Sequence, residues 1–297
     1  MGLILETIMQ IIINGFINGL TLALLSLAFT AVYLPTRVFY IALAGIYAFV
    51  PYIAWQCLQF GLNPLVSVVI AILFGVGLSL LCEVLNHGPL QTKNASSGAH
   101  LLSSMGICIL LSQCAAMFWG NETKVLRSGL DNVVQFAGIV ITGSQIYAFV
   151  VSVALIALYY LWLESSKSGL LFRAMADNQN EFALNGYSVR LFRLISFAIA
   201  GLLTSVSGLL VAYDIGFDSH GGLSAILLAV VAMIIGGQKS FSGPLVGAML
   251  LGLIRSLVVW TFSAQWAEAI TFALLAFFLL MRPLGILAPK ARLEAVS

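Results

Sequence analysis

The sequence predicts an all-α, polytopic membrane protein with about nine transmembrane helices. Its 297 residues are 61% hydrophobic and only 8% charged, whereas soluble domains are about half apolar and about a quarter charged. Apolar runs of transmembrane length recur along the whole chain, and no stretch between them is long enough for a soluble domain. The composition therefore excludes an ordinary water-soluble fold and predicts a single transmembrane domain over residues 1–297.

Each predicted span is an apolar run close to the ~20 residues that a helix needs to cross a bilayer core. The runs lie near residues 8–34, 38–60, 63–85, 100–119, 144–163, 191–213, 223–237, 244–262 and 268–281. The first is too long for the apolar part of a signal peptide and follows Glu6 rather than basic residues, so it should remain as a membrane helix.

The run 223–237 is unusually short, since a helix of its 15 residues reaches only about 22 Å. A re-entrant segment there would reverse every later connection and place basic residues outside, against the usual bias. We therefore interpret it as a short crossing helix that is broken at Gly236 and Gly237.

The basic residues give the orientation, because Lys and Arg are retained on the cytoplasmic side of a membrane. With nine spans and the N-terminus outside, ten of the thirteen basic residues belong to the cytoplasmic side: Arg37, Lys93, Lys167, Arg173, Arg190, Arg193, Lys239, Arg282, Lys290 and Arg292. Lys124 and Arg127 fall outside, and Arg255 lies within a span. This distribution places the polar connection at about 164–190 in the cytoplasm.

That cytoplasmic connection has the pattern of two short amphipathic helices. Ser168 is predicted to cap the first. The apolar stripe of this helix consists of Leu170, Leu171, Ala174 and Met175. In the second, Asn178 and Glu181 have the spacing of a capping box, Phe182 follows, and Gly186 suits the C-terminal end. The residues alone leave two roles open: an interfacial loop that fixes the topology, or a docking site whose apolar faces need a partner.

Three polar residues inside the first span, Asn14, Asn18 and Thr21, share one helix face. Polar groups in hydrocarbon are unfavourable unless they are paired or face water. They therefore either hydrogen-bond to neighbouring helices or line a solute passage together with the broken helix at Gly236 and Gly237, since interrupted membrane helices often mark transport sites.

The few ionisable residues within the apolar runs are interpreted as structural. Glu83, at the inner end of its span, is expected to pair with Arg37 or to hold the loop 86–99. Arg255 is expected to reach Glu268. The nearly uncharged interior favours small neutral or zwitterionic solutes over permanently charged ones.

The sequence contains no recognisable catalytic or metal-binding constellation. The glycine-rich segment 236–240 contains a lysine but lacks the Gly-Lys step of a phosphate-binding loop. The four cysteines and three histidines are dispersed, with no C-x-x-C pair. We therefore expect no enzymatic activity and no cofactor in this chain, and any ATP hydrolysis would belong to another subunit.

Six features, in order along the chain, resemble a known family. They are Asn18-Gly-Leu-Thr21, Glu83 with Gly88-Pro-Leu90, Ser104-Met-Gly106 with Phe118-Trp-Gly120, the segment 169–186, the segment 236–243, and Arg282-Pro-Leu-Gly285. Together they resemble the branched-chain amino acid ABC transporter permease family, which includes urea and short-amide permeases. The chain departs from this pattern at Gly88, where the family usually has Arg, at Lys239, where Gly is usual, and at Arg255, where relatives often have an acid.

The resemblance implies a type II ABC importer-like permease that carries branched-chain or other hydrophobic amino acids across the bacterial inner membrane. The connection 164–190 would dock on the ATPase through Leu170, Leu171, Arg173, Ala174, Met175, Phe182 and Gly186. The implied partners are a second permease subunit, homologous or identical, two ABC ATPase subunits that bind ATP and Mg²⁺, and a periplasmic substrate-binding protein. No nucleic acid partner is expected.

Three alternative functions remain at this point. A urea or short-amide permease would share the same family resemblance. An ion-coupled secondary transporter would need carboxylates in the middle of its spans, and the apolar runs lack them. A non-transporting scaffold would leave the amphipathic cytoplasmic connection unexplained.

Overall fold

The computed structural model describes residues 2–127, 133–136, 139–282 and 285–287, and helices dominate these residues. The first half contains α1 (Gly2–Thr36), α2 (Ala42–Gln59), α3 (Pro64–Cys82), a π-helical turn (Glu83–His87), α4 (Gly88–Thr92) and α5 (Ser97–Trp119). A hairpin of β1 (Val133–Phe136) and β2 (Ile139–Thr142) follows. The second half contains α6 (Gly143–Ser165), α7 (Lys167–Asp177), α8 (Gln179–Leu184), α9 (Val189–Asp214), α10 (Gly221–Gly236), α11 (Gly243–Thr261) and α12 (Ala264–Met281).

The long helices coincide with the predicted spans. Within the described residues, seven are long and apolar enough to cross a membrane: Glu6–Thr36, Pro64–Thr92, Ser97–Trp119, Gly143–Ser165, Val189–Asp214, Gly243–Thr261 and Ala264–Met281. The helices α2, with 18 residues, and α10, with 16, occupy the other two predicted runs but are not among the seven. The prediction of an all-α polytopic membrane protein is confirmed, whereas nine full crossings stay a prediction. Lys290 and Arg292, which the sequence assigns to the cytoplasmic side, lie outside the described residues.

Helix α1 is the centre of the packing and contacts α9, α10 and α11. Two glycines allow α11 to approach it closely. A Cβ atom added to Gly15 would lie 2.9 Å from the Cα of Leu253, and one added to Gly19 would lie 3.1 Å from the Cα of Met249. Small residues are what membrane helices use for such close contact. Gly15 and Gly19 therefore allow the close packing of α1 against α11.

Helix α9 joins this group to α2 and α3, which it also contacts. Gly201 of α9 lies against α3, because an added Cβ would be 2.7 Å from the Cβ of Ser79. The hydroxyl of Ser79 donates to the carbonyl of Phe197 over 2.7 Å. The ring of Phe197 is fully buried against Tyr40, with ring centroids 4.7 Å apart. This contact fixes the depth at which α3 meets α9.

The hairpin β1–β2 was not predicted, because the sequence from 120 to 143 reads as a polar connection. Its strands are antiparallel, with Val133 opposite Thr142. The side-chain amide of Gln10 accepts from the N–H of Val140 (2.9 Å) and donates to its carbonyl (2.8 Å), so it pairs with the strand as a backbone group would. Thr142 and Gln145 form a capping box that begins α6. The hairpin is thereby attached to α1 at Gln10 and to the start of α6.

Candidate functional site

The polar face of α1 is only partly satisfied by neighbouring helices. The side-chain oxygen of Asn14 accepts from Gln10 (3.2 Å) and from Gln145 of α6 (3.4 Å). The hydroxyl of Thr21 donates to the carbonyl of Asn18 (3.0 Å), and Thr21 itself is buried. Asn14 therefore has a hydrogen bond to a neighbouring helix, whereas the hydroxyl of Thr21 bonds within α1.

Asn18 differs from its two neighbours on this face. Its side chain is exposed, although it lies well inside the membrane-spanning stretch Glu6–Thr36. No hydrogen bond of its side-chain amide is found within the described part of the chain. An unpaired amide in hydrocarbon costs several kcal/mol. Asn18 is therefore the residue of this face that is positioned to meet water, a solute or another subunit.

Gly236 and Gly237 lie elsewhere and are both buried. Helix α10 ends here, with Gly237 at φ +130°, and the N–H groups of Ile286 and Leu287 donate to the carbonyls of Ile235 and Gly236 (2.9 Å each). The segment 285–287 covers these glycines in this chain, and the expectation that they join Asn18 beside an open passage stays a prediction.

Helices α1 and α10 do meet, but at a different level. There the hydroxyl of Ser26 donates to the carbonyl of Ala229 over 2.8 Å. Both Ser26 and Ala229 are fully buried. This contact is a packed helix interface rather than a surface open to solute.

The inner end of α3 contains a buried ion pair that the sequence did not predict. Glu83 pairs with Arg193 of α9 and not with Arg37, whose guanidinium instead donates to the carbonyl of Ala176 in α7 (3.3 Å). Arg193 also donates to the side chain of Gln91 (2.7 Å), which agrees with the expectation that this site holds the loop 86–99. The expected pairing of Glu83 with Arg37 is therefore wrong.

A second buried polar pair lies close by. The Nδ1 atoms of His87 and His100 are 3.1 Å apart, so one ring must donate and the other accept. The ring of His87 also packs edge-on against Tyr40, with centroids 5.4 Å apart. In the described chain no group of three or more His, Cys, Asp or Glu residues has the arrangement of a metal site.

Arg255 of α11 donates to the hydroxyl of Thr271 of α12 over 3.4 Å. The predicted ion pair with Glu268 is therefore wrong as a direct contact. Since Thr271 also donates to the carbonyl of Ala267 (2.7 Å), the two side chains form a short polar chain between α11 and α12. Its role is to join these helices.

The connection at about 164–190 folds as two short helices, α7 and α8, as predicted. Ser166, and not Ser168, caps α7 by accepting from the N–H of Gly169 (2.8 Å). Ser168 instead accepts from the indole of Trp162 (3.0 Å). Asn178 caps α8 as expected, although Glu181 bonds the Asn178 side-chain amide (2.8 Å) rather than the backbone.

Some apolar residues of α7 and α8 are covered by this chain itself. Phe172 is fully buried between Trp162 and Phe241, with centroids 5.3 and 5.8 Å away. Met175 and Phe182 are 1% and 4% exposed. The prediction that Met175 and Phe182 lack a partner within the chain is therefore wrong, since both are buried in it and the rings of Tyr187 and Phe192 pack against Phe182.

The outward face of α7 and α8 combines three of the predicted residues, all on α7, with Leu184 of α8. Leu170 is 59% exposed and Leu184 is 86% exposed. Arg173 and Ala174 are also exposed, whereas Leu171 is half-buried. We define the docking face as Leu170, Arg173, Ala174 and Leu184. Gly186, at φ +83°, ends α8 in the left-handed conformation that the sequence predicted for this glycine.

The sequence matches the family model described as the branched-chain amino acid transport system permease component over residues 11–279. The chain belongs to this family. The match extends from α1 to α12 and so includes Asn18 and the docking face.

Several curated relatives are similar along nearly their whole length. The high-affinity branched-chain amino acid transport system permease protein BraD of Pseudomonas aeruginosa is 27% identical, over 94% of this chain and 95% of that protein. The probable branched-chain amino acid transport permease protein LivH of Methanocaldococcus jannaschii is 29% identical, over 93% of this chain and 91% of that protein. The high-affinity branched-chain amino acid transport system permease protein LivH of Escherichia coli K12 is 24% identical, over 94% of this chain and 95% of that protein.

A solved structure shares the fold. One chain of PsaBC from Streptococcus pneumoniae in complex with Fab superposes with a TM-score of 0.52 at 13% identity, covering 93% of this chain and 91% of that chain. The likeness shows that the fold of this chain also occurs in a solved structure.

The motifs that carry the family resemblance have physical roles in this permease. The hydroxyl of Ser104 accepts from the N–H of Ala42 (2.8 Å) and so caps the start of α2. An added Cβ on Gly169 would lie 2.7 Å from the Cα of Leu163, so a larger residue would push α7 away from α6. Of the C-terminal motif, Gly285 lies against Gly237, while Pro283 and Leu284 lie outside the described residues.

Proposed function

We propose that this chain is the transmembrane permease subunit of an ABC importer that carries branched-chain or other hydrophobic amino acids across the bacterial inner membrane. The observation that carries the proposal is the match, over more than nine-tenths of both chains, to permease proteins named for branched-chain amino acid transport. The chain supplies the membrane passage and no hydrolytic site.

The passage runs along the face of α1 that presents Asn18. This amide offers both a donor and an acceptor to a zwitterionic solute, and the rest of the first span is largely apolar. A solute with an aliphatic side chain and a compact zwitterionic head fits this combination better than an ion does.

A second permease subunit, homologous or identical, completes the passage. Contact of the exposed Asn18 amide with lipid would be unfavourable, because hydrocarbon offers it no hydrogen bonds. Two permease subunits that face each other across this surface would enclose a polar path between them. A periplasmic substrate-binding protein would deliver the solute at the outer end of the path.

Two ATPase subunits, which bind ATP and Mg²⁺, dock on the cytoplasmic side, one on the docking face of each permease subunit. The exposed Leu170 and Leu184 supply apolar area and Arg173 supplies a charge-assisted donor. Both leucines project from helices that are themselves fixed by buried aromatic residues. The face is therefore a rigid platform rather than a loose loop.

The attachment of α7 provides a route from the ATPase to the passage. Arg37, directly after α1, donates to the carbonyl of Ala176 in α7 (3.3 Å). Trp162 near the end of α6 donates to Ser168 at the start of α7 (3.0 Å). A displacement of α7 by the ATPase would therefore pull on α1, which carries Asn18, and on α6.

Uptake by proteoliposomes tests the proposal. The permease is reconstituted with its partner subunits, and uptake of labelled leucine is measured with ATP supplied to the ATPase or with an ion gradient alone. Uptake that requires ATP and is inhibited by excess isoleucine or valine supports the proposal. Uptake driven by the ion gradient alone would identify a secondary transporter, and inhibition by urea or acetamide but not by valine would identify an amide permease.

A further inference from the structure

A cavity of about 810 Å³ lies at the end of the helix bundle that carries Lys124 and Arg127. Side chains of α2, α3, α6 and α9, together with the segment 125–127, line it. On the predicted orientation this is the extracytoplasmic side. The cavity is separate from Asn18 and from the docking face, neither of which contributes to its lining.

The segment that closes the outer end of the cavity is held in place by backbone hydrogen bonds. The N–H of Lys124 donates to the carbonyl of Phe217 (2.9 Å), and the N–H of Phe217 donates back to Lys124 (2.8 Å). The N–H of Leu126 donates to the carbonyl of Ala212 in α9 (3.4 Å). The basic residues at this end therefore have a defined position relative to the cavity.

The lining is apolar with a basic rim. Among the described residues that line it, Arg127 is the charged one and there is no carboxylate. Trp55, another lining residue, has the ammonium of Lys124 4.7 Å above its ring. An anion at this end of the cavity would therefore meet the ammonium of Lys124 and the guanidinium of Arg127, whereas no carboxylate among the described lining residues would attract the ammonium group of a zwitterionic amino acid.

The cavity also opens towards the surface that faces the bilayer. Leu65 of α3 is 77% exposed and Tyr147 of α6 is 61% exposed, and both line the cavity. An apolar space that opens onto hydrocarbon is filled most favourably by an acyl chain. Tyr147 and Trp55 are residues of the kind that concentrate at the level of lipid headgroups.

We propose that this cavity is a binding site for an anionic phospholipid. An acyl chain occupies the space between α3 and α6 along α9, and the phosphate-bearing headgroup lies at Lys124 and Arg127. Basic groups next to an apolar pocket between membrane helices are what recognises such a headgroup. The bound lipid would fill the gap that α3 and α6 leave over α9.

Native mass spectrometry tests the proposal on the intact permease assembled with its partner subunits. The complex is equilibrated with phosphatidylcholine vesicles that contain phosphatidylglycerol, and retained phosphatidylglycerol is counted. The double variant Lys124→Gln/Arg127→Gln should weaken retention about 25-fold, since each basic group near an anionic surface contributes about fivefold in affinity. The control Lys93→Gln/Lys239→Gln, which removes two exposed lysines elsewhere, should retain lipid as the wild type does.

A cavity-filling variant, Val151→Trp, tests the acyl-chain part separately and should lower retention with both charges intact. If this variant fails to assemble, the charge variant alone decides. Unchanged phosphatidylglycerol retention in the charge variant overturns the proposal. Loss of leucine binding in Val151→Trp with lipid retained would instead make the cavity a solute site. A disulfide from Leu65→Cys to the second permease subunit would show that a protein partner fills it.

Discussion

Arg193 of α9 holds Glu83, at the end of α3, in a two-armed ion pair inside the protein. Its Nε lies 2.5 Å from one carboxylate oxygen and its Nη2 lies 2.9 Å from the other. The two side chains are only 3% and 5% exposed. A third nitrogen of this guanidinium donates to Gln91, so Arg193 of α9 is bonded to both the π-helical turn and α4.

Breaking this pair should be strongly destabilising. Glu83→Ala leaves the guanidinium buried without its counter-charge, which costs about 3–5 kcal/mol of the free energy of unfolding. The melting temperature of the purified protein would report the loss. Glu164→Ala, which removes an exposed acid from the end of α6, is the matched control and should change stability by less than about 0.5 kcal/mol. Equal melting temperatures for the two variants would contradict the structural role of the pair.

Replacing Asn18 by Leu should impair transport without impairing assembly. The change removes an exposed amide that has no hydrogen-bond partner within the described chain, so no folded contact is lost. Asn14→Leu is the comparison, because it removes two hydrogen bonds and should lower the amount of protein in the membrane. Leucine uptake and membrane abundance are measured for both. Loss of Asn18→Leu protein from the membrane would show that Asn18 is a packing residue.

Exposed residues of α7 and α8 should affect ATPase association, whereas buried residues of the same helices should affect stability. Leu184→Ala removes an exposed side chain and should weaken ATPase association about tenfold with unchanged stability, if that side chain is buried in the complex. Phe182→Ala removes a buried ring and should cost about 3–5 kcal/mol of stability.

Pull-down of the ATPase and the melting temperature are measured on the same preparations. Leu161→Ala is the control, since Leu161 is 63% exposed on α6 outside the docking face. Equal ATPase retention by Leu184→Ala and Leu161→Ala would show that Leu184 does not contribute to ATPase binding and would contradict the proposed docking face.

The orientation can be tested at two exposed positions on opposite sides. In a background without the four native cysteines, Thr123→Cys should react with an impermeant thiol reagent from outside and Lys167→Cys from the cytoplasm. The prediction rests on the bias of basic residues towards the cytoplasm. Labelling of both positions from the same side would contradict it.

The positions of the long helices were predictable from the sequence because they depend on local properties. The apolar runs must match the thickness of the hydrocarbon core, and small residues such as Gly15 and Gly19 mark close packing. The cap at Asn178 and the left-handed Gly186 were also predictable, since each depends on a few neighbouring residues.

The pairing of Glu83 with Arg193 was not predictable, because the two residues are 110 positions apart and Arg37 is an equally plausible partner by charge. The burial of Phe182 was missed for a different reason. An amphipathic stripe looks the same whether it packs on its own chain or on a partner. Only the structure shows Tyr187 and Phe192 with ring centroids 5.1 and 5.2 Å from Phe182.

The most direct test of the proposed coupling is ATP-driven leucine uptake by the reconstituted importer carrying Leu170→Asp/Leu184→Asp. These changes place charges on two exposed positions and leave the buried residues intact. The account predicts that uptake is lost and that the ATPase subunits no longer co-purify, while the permease keeps its melting temperature. Wild-type uptake by this variant, or uptake by any preparation without ATP, would contradict the central claim.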